Sequence, residues 1–322
     1  MKSIVFTSLA AATMLLAACS DGDHASTVAV ETKPFKLAFK AVVDNEEIDC
    51  GSVIPGLGPN NDTSISVSDV RFFVSGLTFY DQQGEIIESS LDTNEFQYNS
   101  DVGSVGLVDL TSNNQGSCNS EGIEFGEGTA RVNHYITGHT HSEQAISSVS
   151  FDVGVPQALM KSVIATNTAE DAPSPLGELY WSWASGYRHF VVNFAVIDKA
   201  QERGEGFLHI GSRGCGDSGL LALENKQQCD RLNTPAVHVT DFNPAKQTII
   251  VDIKAALKDI TFVREIREPK APYTLIGANP GVACHSTPVQ RQPDCGPIFA
   301  NLGLDMASGM SKAVNNIVFR AQ

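Results

Sequence analysis

The chain has 322 residues, a formal net charge of -15 at pH 7 and 18% charged residues. This composition is typical of a folded protein and excludes a largely disordered one. The acidic balance argues against nucleic acid as a partner, because binding to a phosphate backbone requires clustered lysine and arginine.

The N-terminal residues predict export. Lys2 precedes an apolar segment, residues 4–18, which is too short to span a membrane as a mature helix. The motif Leu16-Ala17-Ala18-Cys19 resembles a bacterial lipobox, in which Cys19 becomes the lipidated first residue. We therefore expect residues 1–18 to be a lipoprotein signal peptide. The alternative is an ordinary secretory signal followed by an incidental cysteine.

The residues after Cys19 bear on localisation. Ser20 follows the cysteine where an aspartate would favour retention in the inner membrane. By resemblance to that sorting pattern, we expect an outer-membrane lipoprotein that faces the periplasm or the cell surface, held to the membrane only by its lipid. Residues 19–34 have the composition of a flexible tether between the lipid and the domain.

Residues 35–322 are predicted to form one all-β domain. Short apolar or alternating runs that are typical of strands recur along the chain and are separated by Gly, Pro and Asn. They cover residues 35–43, 70–80, 85–87, 105–110, 130–136, 146–155, 190–197, 237–239 and 248–253. Residues 156–178 are expected to be a long loop with room for one short helix. We expect a disulfide-stapled, sandwich-like fold with long loops and no internal domain boundary.

Without Cys19, six cysteines remain, and an even number in an exported chain predicts disulfides. Two pairs close short loops, Cys215 with Cys229 and Cys284 with Cys295, which leaves Cys50 with Cys118. The alternative is a thiolate metal site. It is disfavoured because the sequence has no Cys-x-x-Cys pair and the compartment is oxidising.

Both tryptophans of the chain, Trp181 and Trp183, lie in one stretch with only Ser182 between them. On a strand the two indoles would point to the same face, because side chains alternate with a period of two. Such a pair forms either a block of the core or the wall of a site, and core is the commoner outcome.

Two sets of histidines are candidate metal ligands. His139 and His141 would share one strand face, although an exposed polar loop after Gly138 is the favoured alternative. His209 lies between two apolar residues at the end of a predicted strand, where a lone histidine is usually structural. His189 has the same parity as Trp181. A bulge nearby, at Gly186 for example, would change that phase.

The stretch Leu179-Tyr180-Trp181-Ser182-Trp183-Ala184-Ser185-Gly186-Tyr187 resembles the Trp-x-Trp motif of the MbnP-like family, also called metallo-mystery pair four-Cys proteins. Further segments agree in the same order and extend the resemblance over nearly the whole mature chain. They are residues 69–75 (DVRFFVS), 154–156 (GVP), 172–176 (APSPL), 209–215 (HIGSRGC) and 284–304.

The resemblance implies an unusual metal chemistry. Members of this family are periplasmic or surface proteins that bind one copper ion as Cu(I), and the first Trp of the motif is oxidised to kynurenine. The oxidation is carried out by a paired di-haem protein of the cytochrome c peroxidase/MauG superfamily. Carried over, Trp181 would be the modified residue and a copper ligand, with Trp183 as its packing neighbour. His209 is expected to be one imidazole ligand, and the second would be His189, or else His134 or His238.

One departure from the family pattern concerns the residues after Gly154-Val155-Pro156. Many members carry an Asn-His pair there, whereas this chain has Ala158-Leu159-Met160-Lys161. If that histidine is a ligand in the family, this chain lacks it. Met160 is then a possible replacement through its soft thioether, or the site differs or is lost.

Three functions follow from the sequence. The first is a copper-homeostasis protein that is not itself an enzyme. The second is a metal-free structural or interaction lipoprotein in which the tryptophans are core. The third and weakest is a secreted hydrolase that uses scattered carboxylates, which need no local motif. No nucleotide-binding, zinc-protease, nucleophile-elbow or haem-attachment motif is present.

Overall fold

The computed structural model describes residues 32–110, 132–166, 172–182, 186–215 and 228–322. The strands before residue 111 are β1 Lys33–Val43, β2 Glu46–Glu47, β3 Val53–Leu57, β4 Thr63–Tyr80, β5 Ile86–Ile87, β6 Ser89–Leu91, β7 Gln97–Ser100 and β8 Gly103–Asp109. Those after residue 131 are β9 Tyr135–Thr140, β10 Ser148–Val153, β11 Tyr180–Ser182, β12 Gly186–Ile197, β13 Arg203–Gly211, β14 Ala236–Val239, β15 Ile249–Asp252, β16 Val263–Arg267, β17 Leu275–Cys284, β18 Leu302–Leu304, β19 Ser311–Asn316 and β20 Phe319–Ala321.

Helices are few and short in the described residues. They are α1 Gln157–Thr166, α2 Ile253–Ala256 and α3 Cys295–Asn301, with one 3-10 helix at Leu176–Leu179. None of them combines the length and apolar character that crossing a membrane requires.

The strands form two main sheets. The larger sheet has the order β14-β10-β4-β12-β13-β17-β16, with β3, β5 and β8 also paired to β4, β7 to β8, and β11 to β12. The smaller sheet has the order β20-β15-β1-β9-β6, with β2 on β1, and β18 pairs with β19 in a separate ribbon. The long β4 is central, because successive parts of it pair with β12, β8 and β10.

The main core lies between these sheets and is rich in phenylalanine. Phe39 of β1 packs edge-on against Phe72 of β4 at 5.5 Å and Phe151 of β10 at 5.8 Å between ring centroids. Phe319 of β20 packs 5.8 Å from Phe190 of β12. Aromatic pairs at these distances stabilise a core beyond the area they bury. The prediction of a single all-β domain is confirmed.

A second, smaller apolar cluster covers part of the outer face of the larger sheet. Leu159 and Met160 of α1 pack there with Leu176 of the 3-10 helix and with Tyr187 and Val191 of β12. The predicted long loop at 156–178 therefore contains two helical segments in its described parts, and these position the chain that leads into β11.

Two predicted disulfides are confirmed, Cys215–Cys229 and Cys284–Cys295. Cys50 is also disulfide-bonded, whereas its expected partner Cys118 lies outside the described residues. The signal peptide, with Cys19, lies outside them too. β1 begins at Lys33, within the segment that the sequence assigns to the tether.

Candidate metal centre

Polar side chains occupy the outer face of the larger sheet where β4, β12 and β13 run side by side. In the strand register, Val191 lies opposite both Arg71 and His209, and Asn193 lies opposite Asp69. Alternate residues of the same strands point into the phenylalanine core. One face of these strands is therefore core, and the other brings ionisable and amide groups together.

His209 and His285 come together through the pairing of parallel strands. β13 and β17 pair with Leu208 opposite Cys284. The next residues are His209 in β13 and His285 just after β17, and they lie on the same face. The two Nδ1 atoms lie 3.0 Å apart and the ring centroids 4.8 Å apart. Phe207 packs against both imidazoles, at 5.7 Å from His209 and 5.6 Å from His285.

Trp181 of β11 stands beside this histidine pair. Its indole is centred 6.4 Å from the His285 ring, and the Arg213 guanidinium lies 4.0 Å above it in a cation–π contact. Gly211 makes room for the indole, since a Cβ at this position would lie 3.0 Å from Cε3 of Trp181 and 2.4 Å from the Tyr187 carbonyl oxygen. Arg213 also donates to the carbonyl oxygen of His285.

Both imidazoles of the pair are held neutral at neutral pH. Burial lowers the pKa of His209 well below its usual value, and the nearby His285 and arginines lower it further. Burial, followed by the charges of Arg213 and other arginines, lowers the pKa of His285 to about 4. A neutral imidazole has a free lone pair on one ring nitrogen, so both rings are suited to bind a metal ion.

Buried polar groups behind His209 hold its ring. Its Nε2 lies 2.6 Å from Oδ1 of Asn193, and Nδ2 of Asn193 donates to Asp69 at 3.2 Å. Arg71 closes the chain with two 2.7 Å hydrogen bonds to the Asp69 carboxylate. Sequence reasoning identified none of these groups as part of a site, because nothing local connects residues 69, 193 and 209.

The structure therefore brings Trp181 and His209 together around His285, which was not among the predicted ligands. His285 directly follows the disulfide cysteine Cys284 and lies 76 residues from His209. The only sequence signal for it is its position next to that cysteine within a segment that resembles the family.

His189 is not part of this group among the described contacts. The registers of β12 with β11 and with β13 are both irregular, and the second shift falls at residues 188–190. The His189 ring packs against Gly154, and its Nδ1 lies 3.3 Å from the carbonyl oxygen of Asn233. Burial lowers its pKa to about 4. The shared parity of Trp181 and His189 is thus lost through bulged pairing, the kind of phase change that a bulge near Gly186 was expected to cause.

The two alternative imidazoles lie elsewhere. His238 is exposed on β14, four strand positions from β13 in the larger sheet, or roughly 19 Å by strand spacing. His134 precedes β9, in the smaller sheet, with its ring beside Tyr135.

The His139 and His141 pair makes separate contacts in the structure. His139 lies on β9 with its Nδ1 3.3 Å from the Asp92 carboxylate. His141 follows the strand, with its Nε2 3.2 Å from the Ser90 hydroxyl. Each imidazole therefore has its own polar partner at the sheet edge.

Met160 lies in the second apolar cluster. It is fully buried, its sulfur accepts a hydrogen bond from Ser212 at 3.6 Å, and a Cβ at Gly186 would lie only 2.3 Å from that sulfur. Packing explains this side chain without a metal. Trp183, the expected packing neighbour of Trp181, lies outside the described residues.

The donor set limits what the site can hold. Across the described ranges, no cluster of three or more His, Cys, Asp or Glu side chains could hold a metal ion. Two converging imidazoles fit an ion that accepts nitrogen ligands, and the Trp181 indole is centred 6.4 Å from the His285 ring of this pair.

Comparisons with known proteins agree on one family. A family model described as MbnP matches residues 32–275. A solved structure, described as MbnP from Methylosinus trichosporium, is similar with a TM-score of 0.63 and 22% sequence identity, covering 91% of this chain and 99% of that chain. At that identity the structural likeness supports the fold alone. No curated protein matches the chain.

Proposed function

This chain belongs to the MbnP family, and from that premise we propose that it is a copper(I)-binding protein whose ion is held by His209, His285 and an oxidised Trp181. The observation that carries the proposal is the convergence of two Nδ1 atoms, 3.0 Å apart, beside the indole. His285 replaces His189, which was the first expectation for the second imidazole. Cu(I), when bound, would be a soft ion that takes imidazole nitrogen atoms as ligands.

Both histidines are neutral, and in the metal-free chain the Nδ1 of one donates to the Nδ1 of the other at 3.0 Å. An ion bound at both Nδ1 atoms therefore requires that proton to move to Nε2 of the donating ring, which leaves both rings neutral. Burial is the main reason that the pKa values of His209 and His285 lie below their usual range. When neutral rings bind a metal ion, the charge of the buried site changes only by the charge of that ion. A low total charge suits a monovalent ion better than a divalent one at the same place.

Trp181 becomes a ligand only after oxidation. The lone pair of the indole nitrogen is part of the aromatic ring and binds metals poorly. In a balanced reaction, the indole takes up one O2 as its C2–C3 bond breaks. Hydrolysis of the resulting N-formyl group then consumes one water, releases formate and leaves an aniline nitrogen that can bind copper.

The oxidation requires a partner that activates the oxidant. By family membership we assign that role to a di-haem protein of the cytochrome c peroxidase/MauG type. Trp181 is partly exposed, which supports access from outside the domain. In this scheme the chain is a substrate of its partner and then a copper carrier, and it is not itself an enzyme.

The same proposal includes the location. The lipobox-like Leu16-Ala17-Ala18-Cys19 would attach Cys19 to lipid, with the domain facing the periplasm or the cell surface. Five cysteines outside that motif are disulfide-bonded, which supports an oxidising compartment; they are Cys50, Cys215, Cys229, Cys284 and Cys295.

The experiment is peptide mass spectrometry of the protein purified from its own host, with the copper content measured on the same sample. We expect the Trp181 peptide to gain about 4 Da, the mass change from tryptophan to kynurenine, together with copper near one per chain. A Trp181→Phe variant is the control and should lose both signals. Unmodified Trp181 without copper, despite a co-expressed di-haem partner, would overturn the proposal and leave a metal-free structural or interaction lipoprotein.

A further inference from the structure

We propose that Asn193 is a positioning residue that fixes His209 with its proton on Nε2, so that the Nδ1 lone pair faces His285, and that the buried Asp69–Arg71 pair in turn fixes Asn193. The use of that lone pair for copper rests on the function proposed above. The orientation itself is a property of the metal-free chain.

The Asp69 carboxylate, when ionised, accepts hydrogen bonds and donates none. Arg71 donates to both of its oxygens, from Nε and Nη2, at 2.7 Å each. Asn193 lies 3.2 Å from Oδ2 of the same carboxylate. The Asn193 group that faces Asp69 is therefore the amide NH2, because a carbonyl oxygen there would meet an acceptor.

The amide orientation determines the histidine. With its NH2 group on Asp69, Asn193 presents only the acceptor Oδ1 to His209, at 2.6 Å from Nε2. His209 must then donate through an Nε2–H group. In a neutral imidazole the other nitrogen, Nδ1, carries the lone pair, and this is the atom 3.0 Å from Nδ1 of His285. Metal-binding histidines are commonly oriented by such a hydrogen bond on the opposite nitrogen.

Burial makes these hydrogen bonds determine the orientation of the His209 ring. Asp69, Arg71, Asn193 and His209 are exposed by only 5%, 3%, 6% and 8%. Water cannot easily replace a lost partner at these exposures, and hydrogen bonds are stronger in such surroundings. The orientation of His209 therefore follows from its protein neighbours.

The same arginine also reaches the 3-10 helix that leads into the strand of Trp181. Nη1 of Arg71 lies 3.9 Å from the Glu178 carboxylate, in the 3-10 helix just before β11. One buried guanidinium thus contacts the groups that orient His209 and the segment that positions the indole. This gives a physical role to Asp69 and Arg71, the charged residues of the DVRFFVS segment at 69–75.

The first test is nitrogen-15 NMR of the histidine side chains in the metal-free protein, comparing wild type with Asn193→Leu and Asn193→Ala. In wild type we expect His209 to be protonated on Nε2 and unprotonated on Nδ1. In both variants we expect a mixture of the two neutral forms. Wild-type His209 protonated on Nδ1, or a variant that retains the pure Nε2–H form, would overturn the inference.

Asn301→Leu is the matched control. Asn301 is also a buried asparagine, 7% exposed, but its amide donates to the carbonyl oxygens of Ala256 and Lys258, next to α2. We expect this variant to lose stability while its His209 spectrum stays as in wild type. A changed His209 spectrum in Asn301→Leu would show that general loosening, rather than Asn193, controls the tautomer.

The second test is Cu(I) affinity, measured by competition with a chromophoric Cu(I) chelator. Removing an outer hydrogen-bond partner of a metal-binding histidine typically weakens binding about 10- to 100-fold, which is the loss expected for Asn193→Leu. If wild type that carries kynurenine at position 181 binds no copper, the proposed function fails and the NMR result alone decides the role of Asn193. If wild type binds copper and Asn193→Leu binds it equally well, the inference is wrong and the proposed function stands.

Discussion

His189 and His209 lie on the neighbouring strands β12 and β13, and both are buried histidines whose pKa values are lowered by burial. Their surroundings differ. The Nδ1 atom of His189 has a backbone carbonyl as its partner, and its Nε2 has no hydrogen-bond partner among the described residues. His209 meets a second imidazole on one side and an amide on the other. Burial and a low pKa are therefore common to both histidines, and the convergence of side chains is what singles out His209 as the proposed ligand.

The largest expected effect compares these two histidines directly. His209→Ala should weaken Cu(I) binding about 100-fold or more, because loss of a ligand costs at least as much as loss of its outer partner. His189→Leu should leave the affinity close to that of wild type. Competition with a Cu(I) chelator measures both. His285→Ala should weaken binding as much as His209→Ala does. Similar losses of affinity in His209→Ala and His189→Leu would contradict the assignment of only His209 as a ligand.

The second prediction concerns pH and the stability of the metal-free protein. Folding holds His189 neutral with a pKa of about 4, whereas the ordinary value is 6.5. The unfolded chain therefore binds more protons between these values, and stability falls as the pH is lowered from 6.5 towards 4. From pH 7 to pH 4 this residue should account for about 3 kcal/mol, at about 1.4 kcal/mol per pKa unit.

Urea unfolding of wild type and His189→Leu at several pH values measures that contribution. The variant should lose less stability than wild type on acidification, by the amount assigned to His189. The same acid loss in both proteins would mean that His189 is not held neutral in the folded state. The remaining loss is expected to come from other buried groups, including His209 and His285.

The third prediction separates the two disulfides. The bond between Cys284 and Cys295, 11 residues apart, lies next to His285, and replacing both cysteines by serine should cost about 2–3 kcal/mol of unfolding free energy. Copper binding should weaken as well, because His285 directly follows Cys284, the last residue of β17. The same change at Cys215 and Cys229, 14 residues apart, should cost similar stability with a smaller effect on copper. Equal copper affinities in the two double variants would contradict this view of β17.

The smallest expected effect is at Arg213. Its guanidinium covers the Trp181 indole at 4.0 Å, and a partly exposed cation–π contact stabilises by about 0.5–1 kcal/mol. Arg213→Gln should lower the unfolding free energy by about that amount and change the fluorescence of Trp181, measured in a Trp183→Phe background. Lys36→Gln, which removes a cation 3.4 Å from the Tyr135 ring, is the matched control and should leave that fluorescence unchanged.

Much of the fold follows from the sequence because its signals are local. The alternation in residues 146–155 predicts a strand, and Val149, Phe151 and Val153 of β10 are indeed buried. Short separations likewise give the two disulfides at 215–229 and 284–295. These features depend on the period of the side chains and on loop length, and both can be read from a single sequence.

The centre of the site is harder to predict from the sequence, because it depends on pairing between strands that are distant in the chain. His209 is identifiable as a histidine at a strand end, but its neighbour His285 comes from the parallel register of β13 and β17. His189 has the wrong phase because a bulge shifts the strand at residues 188–190. Asn193 has no local sign of its role, since its contacts reach residues 69 and 209.

The most direct measurement of the central claim is a crystal structure of the copper-loaded protein, with anomalous diffraction recorded on both sides of the copper absorption edge. We expect one copper peak between the Nδ1 atoms of His209 and His285, in contact with residue 181 as kynurenine. A copper peak at His189, His139 or His238, or copper-loaded crystals with no peak at His209 and His285, would contradict it.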